Sequence, residues 1–115
     1  MFIGNHEGIR EIKGDRQGVG FAGVPDDRKF TNHSISLRGV DAAYLFTDGI
    51  TDQIGGQKRL PWGRHRIREW LQSHQDLSMA DQQRGLEQAF AEYMGKIDQR
   101  DDVTVLGFSI REFVC

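Results

Sequence analysis

Cysteine and long apolar runs are scarce in this sequence, and each scarcity excludes a class of protein. The single cysteine, Cys115, excludes an internal disulfide and a cysteine-rich zinc site, and we interpret it as an incidental terminal thiol. No apolar run approaches the roughly 18 residues that a membrane span needs. The first residues lack the basic and then apolar segments of a secretory signal peptide, so we expect none. Together these features favour a cytoplasmic protein that is not inserted in a membrane.

An excess of either charge is also missing. The chain has 15 basic and 17 acidic residues and a net charge of -2, which gives no electrostatic support for binding nucleic acid or an anionic membrane. Trp62 and Trp70 have no basic groove beside them, so we interpret them as packing residues and not as a platform for stacked bases. A length of 115 residues with 37% hydrophobic content predicts a single domain over residues 1–115 with a modest core.

Several segments have the apolar alternation of strands. Residues 2–3 and 9–12 flank a turn at 5–8 and predict a hairpin. Residues 29–37 alternate with His33, Ile35 and Leu37 on one side, which is typical of a half-buried strand. Residues 42–46 are apolar on both faces, as in a central strand, and a hairpin with 29–37 is the simplest pairing. Residues 14–23 predict a glycine-rich irregular loop.

Two helices and a last strand complete the predicted domain. Ile67, Trp70, Leu71 and His74 form one apolar stripe at helical spacing. Ser78 resembles a helix cap and predicts a second helix from Met79. Residues 103–110 return to the pattern of a strand. The order of strands, two helices and a strand predicts an α+β fold, a mainly antiparallel sheet with the two helices packed on one face.

Two short acidic segments lie at predicted strand ends. Thr47-Asp48-Gly49 follows the strand 42–46, and Asp101-Asp102 precedes the strand 103–110. Carboxylate oxygens are the ligands that Mg²⁺ and Mn²⁺ prefer. If the two strands are neighbours in one sheet, the chain contains at least half of a metal site. The structural alternatives are a common Asp-Gly turn and a solvated acidic turn after a helix.

These two segments carry a resemblance to a known family. Residues 43–56, AYLFTDGITDQIGG, resemble the late Asp-Gly motif of the metal-dependent PPM (PP2C-type) serine/threonine phosphatases, and most closely their bacterial SpoIIE/RsbU-like branch. Residues 99–108, QRDDVTVLGF, resemble the closing Asp-Asp/Asn strand of that family. Two further features agree with the family in order and spacing. They are Gly63-Arg64 at a predicted helix start, and the hairpin and glycine loop at 9–20. The resemblance covers nearly the whole chain.

The resemblance implies a β-sandwich flanked by helices and a centre of two Mn²⁺ or Mg²⁺ ions that activates water to attack phosphorus. It implies that Asp48 and Asp101 are metal ligands, with Gly49 and Asp102 in supporting positions, and no catalytic residue beyond the metal ligands. The implied substrate is a phosphorylated protein, in this branch typically an anti-sigma-factor antagonist of a partner-switching pathway.

The sequence also departs from the family. Family domains are longer, and their first half carries another Asp-Gly motif that has no counterpart before Asp48. The chain therefore resembles the C-terminal half of a phosphatase domain. Two functions follow as alternatives: a truncated phosphatase, or a non-catalytic remnant that binds a partner or forms a homodimer through an exposed sheet edge.

Other polar residues have simpler interpretations. Asp52 and Gln53 follow the first acidic segment, and we expect them to be solvated in a loop. The basic cluster on the first helix predicts a solvent-facing surface; it comprises Arg64, His65, Arg66 and Arg68. We expect His33 and His74 to be core histidines with satisfied hydrogen bonds.

Overall fold

A four-stranded antiparallel sheet lies at the centre of the computed structural model, which describes residues 1–5, 7–15 and 29–110. The strand order in this sheet is β2-β1-β3-β6, and β4 pairs with β5 in a separate two-stranded ladder. The elements are β1 (Phe2–Asn5), β2 (Gly8–Glu11), β3 (Ala42–Phe46), α1 (Asp48–Asp52), β4 (Ile54–Gly55), β5 (Leu60–Pro61), α2 (Gly63–Ser73), α3 (Met79–Met94) and β6 (Val105–Ser109). The predicted α+β class is confirmed.

The first two strands form the hairpin that the sequence predicts. The Asn5 side-chain oxygen accepts hydrogen bonds from the backbone N–H groups of Glu7, at 2.8 Å, and Gly8, at 3.2 Å. Gly8 has a φ of 142°, a conformation that glycine adopts without steric cost. A local side-chain bond and a permissive glycine therefore close this turn.

Strand β3 is central, and this position overturns one prediction. Its Tyr44 pairs with Phe2 of β1 on one side and with Gly107 of β6 on the other. Both edges of β3 are therefore occupied, which leaves no edge for residues 29–37. Those residues form no strand, so the predicted hairpin between 29–37 and 42–46 is wrong. His33 is exposed instead of lying in a core.

The helices pack on one face of the sheet. Inward residues of the first three strands contact the apolar stripes of α2 and α3; the buried members include Phe2, Ile9, Tyr44, Ile67, Leu71 and Leu86. Gly85 of α3 lies against Trp70 of α2, since a Cβ at this glycine would be 2.8 Å from the indole ring. The Ser78 side chain accepts from the Asp81 N–H at 3.1 Å, which confirms the predicted start of α3.

The opposite face of the sheet is only partly covered. Ile3, Val40, Ala43 and Ile110 form a small buried cluster there. Beside it, Leu45, Leu106 and Phe108 are 43%, 57% and 37% exposed. We call these three residues the apolar outer face. Leu45 and Leu106 are directly paired across β3 and β6, so the patch is continuous.

The segment between β3 and α2 has more structure than the sequence indicates. A helical turn, α1, and the short β4–β5 ladder replace the expected loop. Gly55 is required here, because a Cβ would lie 2.0 Å from the Tyr93 carbonyl oxygen. The Gly56 N–H donates to the same oxygen at 3.0 Å. This close approach attaches the segment to the end of α3.

Some predictions fall on residues outside the described ranges. The glycine-rich loop at 14–23 is described only at Gly14 and Asp15, which have no regular structure. Cys115 is outside the described residues. None of the helices that the structure describes combines the length and the apolar character needed to cross a bilayer.

Candidate metal centre

Asp48 is the first residue of α1, and one residue, Thr47, separates it from the end of β3 at Phe46. Thr47 precedes it in an extended conformation, with φ -83° and ψ 161°, and its side chain makes no capping bond to the helix. The Thr47 hydroxyl instead accepts from the Thr104 N–H at 3.1 Å. The Asp48 side chain is therefore exposed at a rigid junction between a strand and a helix.

Asp101 and Asp102 occupy the segment that leads into β6, and both are exposed. The Asp101 carboxylate accepts from the Asp102 N–H at 2.8 Å. The Gln99 side chain donates to the Asp101 carbonyl at 2.9 Å. These local bonds fix the turn while one Asp101 oxygen and the Asp48 carboxylate face solvent.

The tertiary structure brings the two acidic segments together. Because β3 and β6 are antiparallel and Phe46 pairs with Val105, the end of one strand meets the start of the other. The contact is direct, since a Cβ at Gly49 would lie 2.0 Å from the Asp102 carbonyl oxygen. The backbones of the two acidic segments therefore meet at one end of the sheet. The assignment of Asp48 and Asp101 as metal ligands stays a prediction.

The donor chemistry of this junction suits a hard divalent cation. Its exposed side chains offer carboxylate oxygens, the ligand type that Mg²⁺ and Mn²⁺ prefer. Over residues 1–5, 7–15 and 29–110, no group of three or more His, Cys, Asp or Glu side chains is placed to hold a metal ion. The described residues therefore do not form a complete set of ligands, and the half of a metal site that the sequence predicts stays a prediction.

Gln53 has a role that the sequence did not reveal. We expected a solvated loop residue, but its side chain is buried, with 1% exposure. Its amide nitrogen donates to the carbonyls of Ile54, at 3.0 Å, and Asp98, at 3.1 Å. Its amide oxygen accepts from the Arg100 N–H at 3.2 Å. The prediction for Gln53 is wrong because these bonds satisfy the amide away from water; Asp52 is exposed, as expected.

The basic cluster of α2 lies outside this junction. Arg64 donates to Glu11 at 3.0 Å, and His65 contacts Glu69 at 3.0 Å. Arg66 lies over the Tyr93 ring at 5.1 Å from its centroid. All four cluster residues are exposed, which confirms the solvent-facing surface that the sequence predicts. His74, the histidine of the apolar stripe, is half-buried, and its ring centroid lies 4.0 Å from that of Trp70 in a stacked arrangement.

A buried polar pair links the sheet to the helical layer. The Tyr44 hydroxyl donates to the Gln82 side-chain oxygen at 2.7 Å. Burial raises the pKa of Tyr44 above its ordinary value of 10.0, and the hydrogen bond to Gln82 opposes this rise. The pair joins β3 to α3, so the sheet is attached to the helical layer by a polar contact as well as by apolar packing.

Comparisons with known proteins agree with this geometry. The sequence model of the family described as Stage II sporulation protein E (SpoIIE) matches residues 2–111. Among solved structures, the SiaA-PP2C domain of Pseudomonas aeruginosa is similar, with a TM-score of 0.80 and 32% sequence identity. That similarity covers 93% of this chain and 41% of the solved chain. A search of curated protein sequences found no significant match.

These matches have a clear consequence for the two acidic segments. Both Asp48-Gly49 and Asp101-Asp102 lie within the residues that the family model covers, and the fold that brings them together is that of a PP2C domain. The chain spans less than half the length of the solved domain. The protein belongs to the SpoIIE family of PP2C-type phosphatases and corresponds to one part of such a domain.

Proposed function

We propose that this chain is the metal-binding C-terminal part of a phosphoserine/phosphothreonine protein phosphatase. The observation that carries the proposal is the contact between Gly49 and the Asp102 carbonyl, which joins the two acidic segments at one end of the sheet. Family membership supports the reaction class. The exposure of the carboxylates supports access for a cation and a substrate.

Each site residue has a proposed role. Asp48 and Asp101 would hold Mn²⁺ or Mg²⁺ through carboxylate oxygens. Gly49 permits the close approach of the two segments, and Asp102 supports Asp101 by donating its N–H to that carboxylate. Divalent cations in such centres supply Lewis acidity and lower the pKa of water, so that hydroxide is available near neutral pH.

The remaining ligands would come from outside this chain's described residues. The matched solved chain is more than twice as long as the matched part, and the described residues here provide no group of three ligands. We therefore propose that full activity needs a further segment with its own acidic residues. The substrate that we propose is a phosphorylated protein, an anti-sigma-factor antagonist of a cytoplasmic partner-switching pathway.

Metal binding and turnover test this proposal separately. Manganese binding to the purified chain is measured by titration, and hydrolysis of p-nitrophenyl phosphate is measured with manganese present. We expect Asp48→Asn and Asp101→Asn to weaken manganese binding by at least about tenfold, because each removes a direct carboxylate ligand. Asp76→Asn, in the exposed turn after α2, is the matched control and should bind as the wild type does.

The outcomes have distinct meanings. Manganese-dependent turnover that both variants lose would support an active phosphatase. Manganese binding that both variants lose, without turnover, would support a phosphatase part that needs further ligands. Wild-type affinity in both variants would contradict the metal site.

A second candidate function is a non-catalytic module that forms a homodimer. The apolar outer face favours it, because Leu106 is 57% exposed on a strand that, among the described residues, pairs on one side only. Such edges and patches promote association. Leu106→Glu should then abolish dimers in analytical ultracentrifugation. Leu60→Glu, at a leucine of similar exposure on β5 (48%), should leave them intact. A wild-type monomer would contradict this function.

A further inference from the structure

The buried side chain of Gln53 links the chain that follows Asp48 to the chain that precedes Asp101. Gln53 follows α1 as its C-terminal capping residue and is 1% exposed. Its amide makes three hydrogen bonds, two of them to residues 98 and 100 across the junction. A buried amide with donors and acceptor satisfied imposes a defined geometry on its partners.

The chain is held to the segment 47–53 on both sides of Asp101. On its N-terminal side, the Arg100 N–H donates to the Gln53 side chain. On its C-terminal side, the Asp102 carbonyl lies against Gly49 and within 3.5 Å of the Thr47 hydroxyl. Both attachments come from the segment 47–53, which also carries Asp48. The position of Asp101 relative to Asp48 is therefore set from one short piece of chain.

We propose that Gln53 is a positioning residue for Asp101. It fixes the backbone at residues 98–100, so that Asp101 stays at the junction with the segment that carries Asp48. Its own side chain faces away from solvent, and it acts through the backbone of its neighbours without touching a metal ion. The part of this inference that concerns metal affinity rests on the proposed function.

The hydrogen-bonding capacity of glutamine explains why an apolar residue cannot replace it. Methionine has a similar length and no amide, so Gln53→Met would leave two carbonyls and one N–H without their partner. The segment 98–100 would then move to reach water, because unsatisfied buried polar groups are costly. Gln82 offers a matched control, since it is also buried, at 5% exposure, but bonds to Tyr44 and Leu77.

The test compares Gln53→Met with Gln82→Met in two measurements. The first is amide hydrogen exchange by NMR in metal-free protein. We expect Gln53→Met to accelerate exchange at Arg100 and Asp102 by about tenfold, because Asp102 donates to the Asp101 carboxylate. The second is manganese affinity, which we expect to fall about tenfold, as for other residues that orient a ligand. Gln82→Met should change neither quantity.

Each outcome decides the inference. A folded Gln53→Met protein with wild-type exchange at Arg100 and Asp102 would overturn it, as would faster exchange with unchanged manganese affinity. If the wild-type chain binds no manganese, the proposed metal site fails, and the exchange rates alone decide whether Gln53 positions Asp101. If Gln53→Met does not fold, wild-type exchange decides: a protected Arg100 amide supports the inference, and an unprotected one overturns it.

Discussion

Thr47 and Thr104 exchange two hydrogen bonds one position beyond the last paired residues of β3 and β6. The Thr47 N–H donates to the Thr104 carbonyl at 3.0 Å, and the Thr104 N–H donates to the Thr47 hydroxyl at 3.1 Å. A side-chain oxygen thus replaces a backbone carbonyl at the point where the chain turns into α1. The ladder ends without losing a bond, and Asp48 begins the helix immediately after it.

This exchange predicts a specific effect of Thr47→Val. Valine keeps the β-branched shape but removes the acceptor of the Thr104 N–H, so we expect a loss of about 1 kcal/mol in the free energy of unfolding. Thr47→Ser retains the hydroxyl and should lose clearly less. Urea denaturation of the three proteins measures the difference. Equal stability of the valine and serine variants would show that the hydroxyl bond does not contribute.

The close approach of Gly49 to Asp102 predicts strong intolerance of a side chain. Gly49→Ala would place a Cβ 2.0 Å from a backbone oxygen, so we expect a loss of about 1–3 kcal/mol, the usual cost of overpacking, and weaker manganese binding as the two segments separate. Gly14→Ala is the control, because a Cβ there has no described atom within 4 Å. Equal denaturation midpoints for the two variants would contradict the contact.

The buried pair of Tyr44 and Gln82 predicts an effect that depends on alkaline pH. Tyr44→Phe leaves the Gln82 oxygen without its donor, with an expected cost of about 1–3 kcal/mol at neutral pH. Burial raises the pKa of folded Tyr44, so the neutral form is favoured in the folded state. This contribution is complete below the unfolded pKa near 10 and is lost as pH rises through the folded value.

Two denaturation series check this expectation. The wild type should lose stability between about pH 10 and the folded pKa of Tyr44, and the difference from Tyr44→Phe should shrink over that range. If the difference in unfolding free energy between the wild type and Tyr44→Phe did not change with pH, Tyr44 would have the same pKa in the folded and unfolded states, which would contradict this expectation.

Asp81 predicts a pH effect of the opposite sign. A hydrogen bond from Arg84, and a second from Ser78, lower the pKa of Asp81 from its ordinary value of 3.8. A lowered folded pKa stabilises the protein above the unfolded value, and this contribution is lost as pH falls through the folded value. Asp81→Asn should therefore reduce the melting temperature at pH 7 and have a smaller effect below pH 3.8.

Thermal unfolding at both pH values measures this effect, which we expect to be modest because Asp81 is solvent-exposed. Asp76→Asn, in the exposed turn before α3, controls for the general loss of a negative charge. A pH dependence of the same size in both variants would contradict a specific role of Asp81.

Local signals in the sequence predicted several elements closely. The first hairpin depends on Asn5 and Gly8, and the start of α3 depends on Ser78, so each follows from bonds between residues that are near in sequence. The predicted strand 103–110 is longer than the observed Val105–Ser109, because at Thr104 the N–H bonds to the Thr47 side chain in place of a backbone carbonyl. The predicted pairing of residues 29–37 with β3 failed because β1 and β6 occupy both edges of that strand.

Gln53 shows a different limit. A glutamine after an Asp-Gly turn has the composition of a solvated loop, and no local pattern distinguishes it from a buried one. Its partners, Asp98 and Arg100, are 45 and 47 residues away. Only the folded chain brings them within hydrogen-bonding distance, so the burial of Gln53 depends on contacts that periodicity and propensity do not encode.

The sequence by itself determined the class of fold, the caps and turns, and the two acidic motifs, because these depend on backbone preferences and hydrophobic spacing over a few residues. The tertiary structure decided that β3 lies between β1 and β6, and hence that the segments that carry Asp48 and Asp101 meet at one end of the sheet. Strand pairing is a competition among edges that are distant in sequence. Its outcome follows from packing of the whole core, which no single segment specifies.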